Sequence, residues 1–155
     1  RFRENTLAAP HDPRIRQLVG TVHVHPNGRT VYVANRASDA VRAAGRRLFA
    51  GGENSIAVFS VDQATGRPSI VQHADTDGIH PRTFHIDPTG RLMVVAHIMG
   101  LDRVAGDRIE AVPTRLSLFR IRDDGTLDFA RSVDVETGGA TQWWMGMMAL
   151  PKGMP

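Results

Sequence analysis

The stretch that decides the fold is GIHPRTFHIDPTGRLMVVAH, residues 78 to 97. Two segments rich in Val, Ile, Phe and Leu, 82–87 and 91–97, flank the tetrapeptide Asp-Pro-Thr-Gly, which is typical of a tight turn. The pattern predicts two antiparallel strands joined by that turn. The upstream stretch LVGTVHVHPNGRTVYVANR, residues 18 to 36, repeats the same plan, although only the later copy carries His-Pro-Arg before its first strand.

The repeat extends beyond these two strands. Thr21 aligns with Thr83, and Ala34 aligns with Ala96 at the same separation. Farther on, NSIAVFSVDQATGRPSIVQHAD aligns with TRLSLFRIRDDGTLDFARSVDV, which adds a third and a fourth strand to each copy. Four-stranded antiparallel units in tandem are typical of β-propeller blades, so we expect an all-β fold.

The repeat boundaries divide the chain into four parts. Residues 1–17 form an irregular N-terminal segment or the remnant of a preceding blade, and residues 18–77 and 78–137 are blades. Residues 138–155 start like the second blade, so we expect TQWWMGMMAL to be a ring-closing strand followed by a tail, with Trp143 and Trp144 packed in a core. An apolar tail on another kind of β domain is the alternative.

Two and a half blades cannot close a ring of roughly 4–8 blades. The remaining blades are therefore expected from the same parent chain or from another subunit.

Composition narrows the possible function classes. The chain is 41% hydrophobic and 23% charged, without an apolar run long enough to span a membrane. Its net charge is +3, and no basic block or series of aromatic residues indicates a nucleic-acid partner. The absence of cysteine excludes disulfides and thiolate metal sites. The compartment stays open between cytoplasm and periplasm.

Several of these stretches resemble one known family. HPRTFHIDPTGRLMVVAH, HPNGRTVYVANR and NSIAVFSVDQATGRPSIVQH are similar to sequences of the seven-bladed lactonase propellers, which include 6-phosphogluconolactonases and 3-carboxymuconate lactonising enzymes. The resemblance implies opening or closing of a small acidic lactone without metal or cofactor, by His and Arg side chains in the central funnel. The chain departs from the family in its two long loops between second and third strands, and in the number of blades.

The strand order places the candidate catalytic residues on one face. Successive connections of an antiparallel meander alternate between the two ends of the sheet. The inter-blade loop, with His80 and Arg82, therefore shares a face with His97, which ends a second strand. Arginine can donate hydrogen bonds to a developing oxyanion, and histidine is the common base near neutrality. We expect His80, Arg82 and His97 to be catalytic.

The same face gives the candidate substrate-binding residues. Asn35 and Arg36 end the other second strand, and Arg103 lies in the second long insert. The guanidinium groups of the two arginines suit the carboxylate or phosphate of an acidic lactone. Structural roles are the alternative: His-Pro-Arg can cap a strand, Asn35 can form a turn, and the insert arginines can form a solvated face.

Two further hypotheses remain open. VYVANRASDAV also resembles Tyr-Val-Thr-Asn-type repeats, so the propeller can be a non-catalytic binding platform or the supporting subunit of a larger assembly. The pair His23-x-His25, with His85 and Asp87 in the other copy, could start a metal site. Such short matches have a high false-positive rate, and we expect no metal.

Overall fold

The computed structural model describes residues 1–13, 16–43 and 45–150, and these contain strands but no helix. The strands are β1 Leu18–Val24, β2 Thr30–Arg36, β3 Ala40–Ala43, β4 Arg46–Phe49, β5 Ser55–Val61, β6 Pro68–Asp75, β7 Pro81–Ile86, β8 Leu92–His97, β9 Leu101–Ala105, β10 Arg108–Val112, β11 Arg115–Ile121 and β12 Leu127–Asp134. The prediction of an all-β chain is confirmed.

Eight of the strands form two blades of identical topology. One sheet has the order β1-β2-β5-β6 and the other β7-β8-β11-β12, and every pair in them is antiparallel. The middle residues of β2, β5 and β8 are apolar and largely buried, as expected for the interior strands of a sheet. The repeat seen in the sequence is therefore the blade.

The two long inserts differ from the expectation of loops. Each folds into a hairpin, β3–β4 and β9–β10, and a parallel bridge between Leu48 and Asp102 joins the hairpins into a third four-stranded sheet. The runs of apolar residues in these hairpins are short and are interrupted by arginines. The sequence therefore lacks the alternation of apolar and polar residues that indicates strands. Leu101 and Val112 at the base of this sheet pack with Ile79 of the inter-blade loop.

The turn between β7 and β8 shows what the Asp-Pro-Thr-Gly tetrapeptide contributes. Asp87 Oδ1 accepts hydrogen bonds from the backbone N–H groups of Arg91 and Leu92, and Oδ2 accepts two from Thr89, one from its hydroxyl and one from its N–H. Gly90 has a φ of 73°, which glycine adopts without steric cost. These contacts hold the pKa of Asp87 below its usual range, although burial opposes the shift.

The blades pack face to face along one apolar seam. Its core cluster is drawn from both sheets: Tyr32, Ala34, Ile56, Val58, Ala74, Phe84, Ile86, Met93, Val95, Phe119, Ile121 and Leu127. Polar contacts cross the same seam. Tyr32 Oη donates to the carbonyl of Gly125 at 2.8 Å, and the Gln72 amide both donates to and accepts from the backbone of Leu127 at 2.9 and 2.7 Å.

The C-terminal segment does not form the expected strand. Residues 135–150 have no regular secondary structure. The ring-closing role thus stays a prediction. Trp143 and Trp144 are 51% and 75% exposed, so the expectation that they pack in a core is wrong for this chain.

The interblade hydrogen bond of Tyr32 provides a test of the seam. Tyr32→Phe should lower the free energy of unfolding by about 1–2 kcal/mol, because the buried Gly125 carbonyl loses its donor. Chemical denaturation of the complete protein measures the change. Gln63→Ala, which removes hydrogen bonds at an exposed turn, is the control and should stay within about 0.5 kcal/mol. Equal stability of Tyr32→Phe and the parent would show that the blades do not pack in this register.

Candidate functional site

The backbone of His80 is held in an unusual conformation at the inter-blade loop. Its φ is 57°, a region that residues other than glycine rarely adopt. Asn54 Oδ1 accepts a hydrogen bond from His80 N at 3.0 Å, and Ile98 N donates to the His80 carbonyl at 3.1 Å. Such strain is retained where surrounding contacts enforce it, and it is concentrated at functional sites. The loop therefore fixes the direction of the His80 ring.

The His80 ring is buried between two polar groups. Its Nε2 lies 2.5 Å from Nη1 of Arg36, and its Nδ1 lies 2.7 Å from Oγ of Ser38. A guanidinium can only donate, so Nε2 is the acceptor and Nδ1 carries the proton that is donated to Ser38. Burial, followed by the nearby charges of Arg36 and Arg82, lowers the pKa of His80 to about 4. The ring is therefore neutral at pH 7.

Two arginines approach each other beside this histidine. Arg36 Nε donates to the carbonyl of Val19 at 3.2 Å, and burial and the charge of Arg82 lower the pKa of Arg36. Gly20 makes the approach possible: a Cβ there would lie 3.1 Å from the Arg82 carbonyl oxygen and 3.3 Å from Cδ of Arg36. None of the ion pairs among the described residues includes either arginine.

These arginines border a cavity of about 290 Å³ at the inner strands of the two blades. Its lining is Val19, Gly20, Thr21, Arg36, Arg82 and Trp144. The guanidinium carbon of Arg82 stands 4.6 Å from the ring centre of Trp143 and 5.8 Å from that of Trp144. Arg82 Nε is buried without a hydrogen-bond partner among the described residues. The cavity thus combines an aromatic wall with two cations that have no carboxylate partner among the described residues.

His97 lies behind this cavity and not in it. Its side chain is fully buried, its Nδ1 is 3.1 Å from the Arg115 carbonyl, and burial lowers its pKa to about 4. The ring covers Gly78 so closely that a Cβ there would lie 2.5 Å from it. His97 therefore supports the inter-blade loop in this arrangement and has no surface that a substrate could touch.

Two other predicted site residues have structural partners. Asn35 is fully buried and binds the N-terminal segment, because its amide donates to the Thr6 carbonyl at 2.6 Å and accepts from the Thr6 hydroxyl at 2.7 Å. Arg103 lies on β9 and pairs with Glu110 of β10 at 3.3 Å. The structure thus brings together Arg36, His80 and Arg82, and it places Asn35, His97 and Arg103 outside the cavity.

The histidines considered for a metal site have other contacts. His23 stacks on Phe84 and stands edge-on to His85 at 5.6 Å between ring centres, while His25 Nε2 lies 2.8 Å from the Gly90 carbonyl. Within residues 1–13, 16–43 and 45–150, no group of three or more His, Asp or Glu side chains could hold a metal ion.

Sequence reasoning missed three residues of the site. Ser38 follows β2 and Asn54 precedes β5, so both stand at the ends of the first insert, which the sequence analysis described only as a long loop. Trp144 was assigned to packing, since a Trp pair beside methionines is usually buried. A sequence signal existed for Ser38 and Asn54, but none existed for Trp144.

Comparison with known proteins shows the family of this chain. Residues 3–99, more than half of the chain, match the family model described as lactonase, 7-bladed beta-propeller. The chain belongs to this family. A solved structure, the periplasmic gluconolactonase of Pseudomonas aeruginosa, has a TM-score of 0.60 and 25% identity over 87% of this chain and 29% of its own. A protein from Lactobacillus plantarum, at 23% identity and a TM-score of 0.58, shares the fold over 83% of this chain and 29% of its own.

Two curated relatives support the same placement. A 6-phosphogluconolactonase of Bacillus subtilis is 36% identical over 98 residues, which are 62% of this chain and 24% of the relative. A 6-phosphogluconolactonase of Formosa agariphila is 33% identical over 76 residues, which are 49% of this chain and 18% of the relative. The chain thus spans about a quarter or less of these relatives. None of its described residues forms a helix that could cross a membrane.

The electrostatics of the cavity can be tested by nuclear magnetic resonance. In long-range ¹H–¹⁵N spectra of the complete protein, His80 should be the neutral Nδ1–H tautomer and should titrate at about pH 4. Arg36→Gln should raise the pKa of His80, because it removes a neighbouring positive charge. The pKa of His97, to which Arg36 does not contribute, is the internal control. A His80 that titrates near 6.5 in the parent protein would contradict the buried Arg36–His80 contact.

Proposed function

We propose that the protein containing this chain opens or forms the ring of a small acidic lactone, without a metal, at the cavity lined by Arg36 and Arg82, with His80 in contact with Arg36. One observation carries the proposal: two guanidinium groups without carboxylate partners face one cavity beside a neutral histidine. Membership of the lactonase family and the names of the two curated relatives support it.

The arginines match the charge that develops during ring opening. Water attacks the lactone carbonyl carbon, and the carbonyl oxygen becomes an oxyanion in the tetrahedral intermediate. Arg82 donates to this oxyanion, because its side chain lines the cavity, has no carboxylate partner among the described residues and is held against Trp143. The intermediate collapses by breaking the bond to the ring oxygen, which takes a proton and leaves as a hydroxyl. Lactonisation follows the same steps in reverse.

His80 is the proton-transfer group of the proposal. Its low pKa keeps it unprotonated at neutral pH, but Arg36 occupies the Nε2 lone pair in the structure. An anionic substrate draws the Arg36 donor toward itself and adds negative charge nearby, so the lone pair becomes free and the pKa of His80 rises. Ser38 keeps the proton on Nδ1 and so preserves the tautomer that can accept from water.

The remaining predicted residues enter the proposal indirectly. Asn35 fixes the end of β2 that carries Arg36, and His97 supports the loop that carries His80. Arg103 has no assigned contact with the substrate. The first substrate to test is 6-phosphogluconolactone, since the two curated relatives are 6-phosphogluconolactonases. Its phosphate suits Arg36, the second cation of the cavity.

Substitutions of His80 and Arg82 should impair catalysis differently. In pH-stat assays of lactone opening by the complete protein, His80→Ala should lower kcat by about 10²–10⁴-fold with a modest change in KM, the usual contribution of general acid–base catalysis. Arg82→Lys should lower kcat/KM, because a point charge cannot replace a planar guanidinium stacked on Trp143. Chelators should have no effect.

The controls separate catalysis from folding and from metal chemistry. Arg122→Lys, at an exposed pair with Asp128, should keep full activity, and thermal melts verify that each variant is folded. A folded, fully active His80→Ala variant would remove His80 from the mechanism. Strong inhibition by EDTA would return the metal hypothesis at His23 and His85. Absence of lactone opening in the complete protein would favour a binding platform.

We also propose that further blades, from the same parent chain or another subunit, complete the ring. Val22 and Val24 of β1 are 55% and 59% exposed. They point away from His23, which packs on Phe84 of the second blade, and so toward the place where a preceding blade would lie. Exposed apolar patches above a few hundred Å² are rare on soluble monomers.

The ring proposal predicts the behaviour of this chain in isolation. Expressed alone, the 155 residues should self-associate or unfold without a cooperative transition, because the apolar face of β1 is uncovered. Sedimentation and thermal melts make the measurement. A monodisperse monomer with a cooperative melt would contradict the need for further blades.

A further inference from the structure

We infer that Arg115 is a positioning residue of the candidate site: through Asp77 it holds the inter-blade loop in the conformation that directs the His80 ring toward Arg36. The kinetic part of this inference rests on the proposed function, in which His80 transfers the proton and Arg115 does not touch the substrate. All the contacts involved lie within the two blades of this chain, so they do not depend on a surface that further blades would cover.

The inter-blade loop is strained at two positions. Residues 76–80 join β6 of the first blade to β7 of the second. Of the described residues other than glycine, only Asp77 and His80 have a positive φ, at 53° and 57°. Such a conformation persists only where neighbouring contacts enforce it. Asn54 and Ile98 hold the backbone of His80, so the loop needs a comparable contact at Asp77.

Arg115, the first residue of β11, supplies that contact. Its Nη1 donates to both the carbonyl oxygen and Oδ2 of Asp77, each at 2.9 Å, and so fixes the backbone and the side chain of Asp77 together. Its Nη2 pairs with Asp134 at 3.1 Å, and Ser132 Oγ donates to the same Asp77 Oδ2 at 2.9 Å. The Arg115 side chain is only 16% exposed, so solvent screens these charge-assisted hydrogen bonds weakly.

Strand β11 also holds the neighbouring residues of the loop. The hydroxyl of Ser117, which is fully buried, donates to the Thr76 carbonyl at 2.5 Å. The Arg115 carbonyl accepts from Nδ1 of His97 at 3.1 Å, and the His97 ring covers Gly78. Successive residues at the start of the loop are therefore held by β11, either directly or through His97.

Arg115 also distinguishes the second blade from the first. In the aligned third strands, NSIAVFSV and TRLSLFRI, the position of Arg115 is taken by Ser55 in the first blade. The Ser55 hydroxyl donates to Glu53 Oε1 at 2.5 Å and accepts from the Asn35 amide at 3.1 Å, both within its own blade. The arginine thus occurs in the copy whose preceding loop carries His80, as expected of a residue that serves the site and not the blade framework.

Loss of the Arg115 contact should change the surroundings of the His80 ring. Without it, Asp77 can leave the left-handed region, and the strain at His80 can relax by rotation of the ring away from Ser38. The charged and titratable groups that face this ring come from several elements: Arg16, Arg36, Arg82 and His97. A ring that moves toward solvent loses both the burial and the positive neighbours that lower its pKa.

The test follows the His80 ring and the reaction separately in the complete protein. Arg115→Met removes the donors and keeps most of the side-chain volume. In ¹H–¹⁵N spectra, the pKa of His80 should rise from about 4 toward its ordinary value of 6.5. In pH-stat assays with 6-phosphogluconolactone, the acid limb of kcat/KM should move to higher pH in parallel, because a base must be unprotonated to act.

The kinetic constants at neutral pH should divide in a characteristic way. In Arg115→Met, kcat should fall by about 10–10²-fold, the order expected when a catalytic group is misplaced by about 1 Å. KM should change by less than about threefold, because Arg36 and Arg82 stay on strands whose pairing the substitution leaves intact.

Companion variants test the contact from its other side. Asp77→Ala should reproduce the changes, whereas Asp77→Asn should stay close to the parent, because asparagine keeps an acceptor and tolerates the left-handed region. The double variant Arg115→Met/Asp77→Ala should be no worse than the more damaging single variant, since both remove the same contact. Arg122→Met is the matched control: it breaks an arginine–aspartate pair with Asp128 at the opposite end of β11 and should leave His80 and kcat unchanged.

The outcomes separate this inference from the proposed function. Thermal melts select the folded variants. A folded Arg115→Met or Asp77→Ala variant in which His80 keeps the pKa and tautomer of the parent would overturn the inference, whatever its activity. A loss of kcat without a shift of the acid limb would also overturn it, because Arg115 would then serve stability alone. If the complete parent protein does not open the lactone, the proposed function fails, and the spectra of His80 still decide whether Arg115 positions the ring.

Discussion

The packing of one blade on the next is the constraint on which the rest of the structure depends. Each sheet has an apolar face that must be covered, and the seam covers it with side chains of β2, β5 and β6 from the first blade and of β7, β8, β11 and β12 from the second. The hydrogen bond from Tyr32 to Gly125 and the amide pairing of Gln72 with Leu127 satisfy polar groups that this packing buries. These contacts fix the position of one blade relative to the other.

That register also creates the candidate site. Gly20 of the first blade lies against the Arg82 carbonyl of the second, and Thr21 Oγ1 donates to the same carbonyl at 3.0 Å. The contact brings the end of β2, with Arg36, beside the inter-blade loop, with His80. Neither blade alone contains the site, because the two arginines come from different repeats. A cavity between repeats is a common place for a site in such architectures.

Most of the fold and part of the site could be predicted from the sequence. Alternating apolar residues and Asp-Gly or Pro-x-Gly turns are local signals, so the eight blade strands and the face shared by Arg36, His80 and Arg82 followed from them. The third sheet depends on one bridge between Leu48 and Asp102, which joins residues far apart in the sequence. Asn35 and His97 stand at the ends of β2 and β8 as predicted, but their side chains are fully buried, and burial depends on contacts that strand alternation does not show.

The charges of the site explain why binding of an anion should be favourable. Arg36 and Arg82 repel each other, and both disfavour a proton on His80, so the unliganded site contains positive charge that the described residues do not neutralise. The Nε2 contact of His80 gives Arg36 one acceptor, but a neutral ring does not balance its charge. A bound anion would relieve this repulsion and would release the His80 lone pair in the same step. In such an arrangement, the binding of the acidic group and the activation of the base are coupled by the same electrostatic interaction.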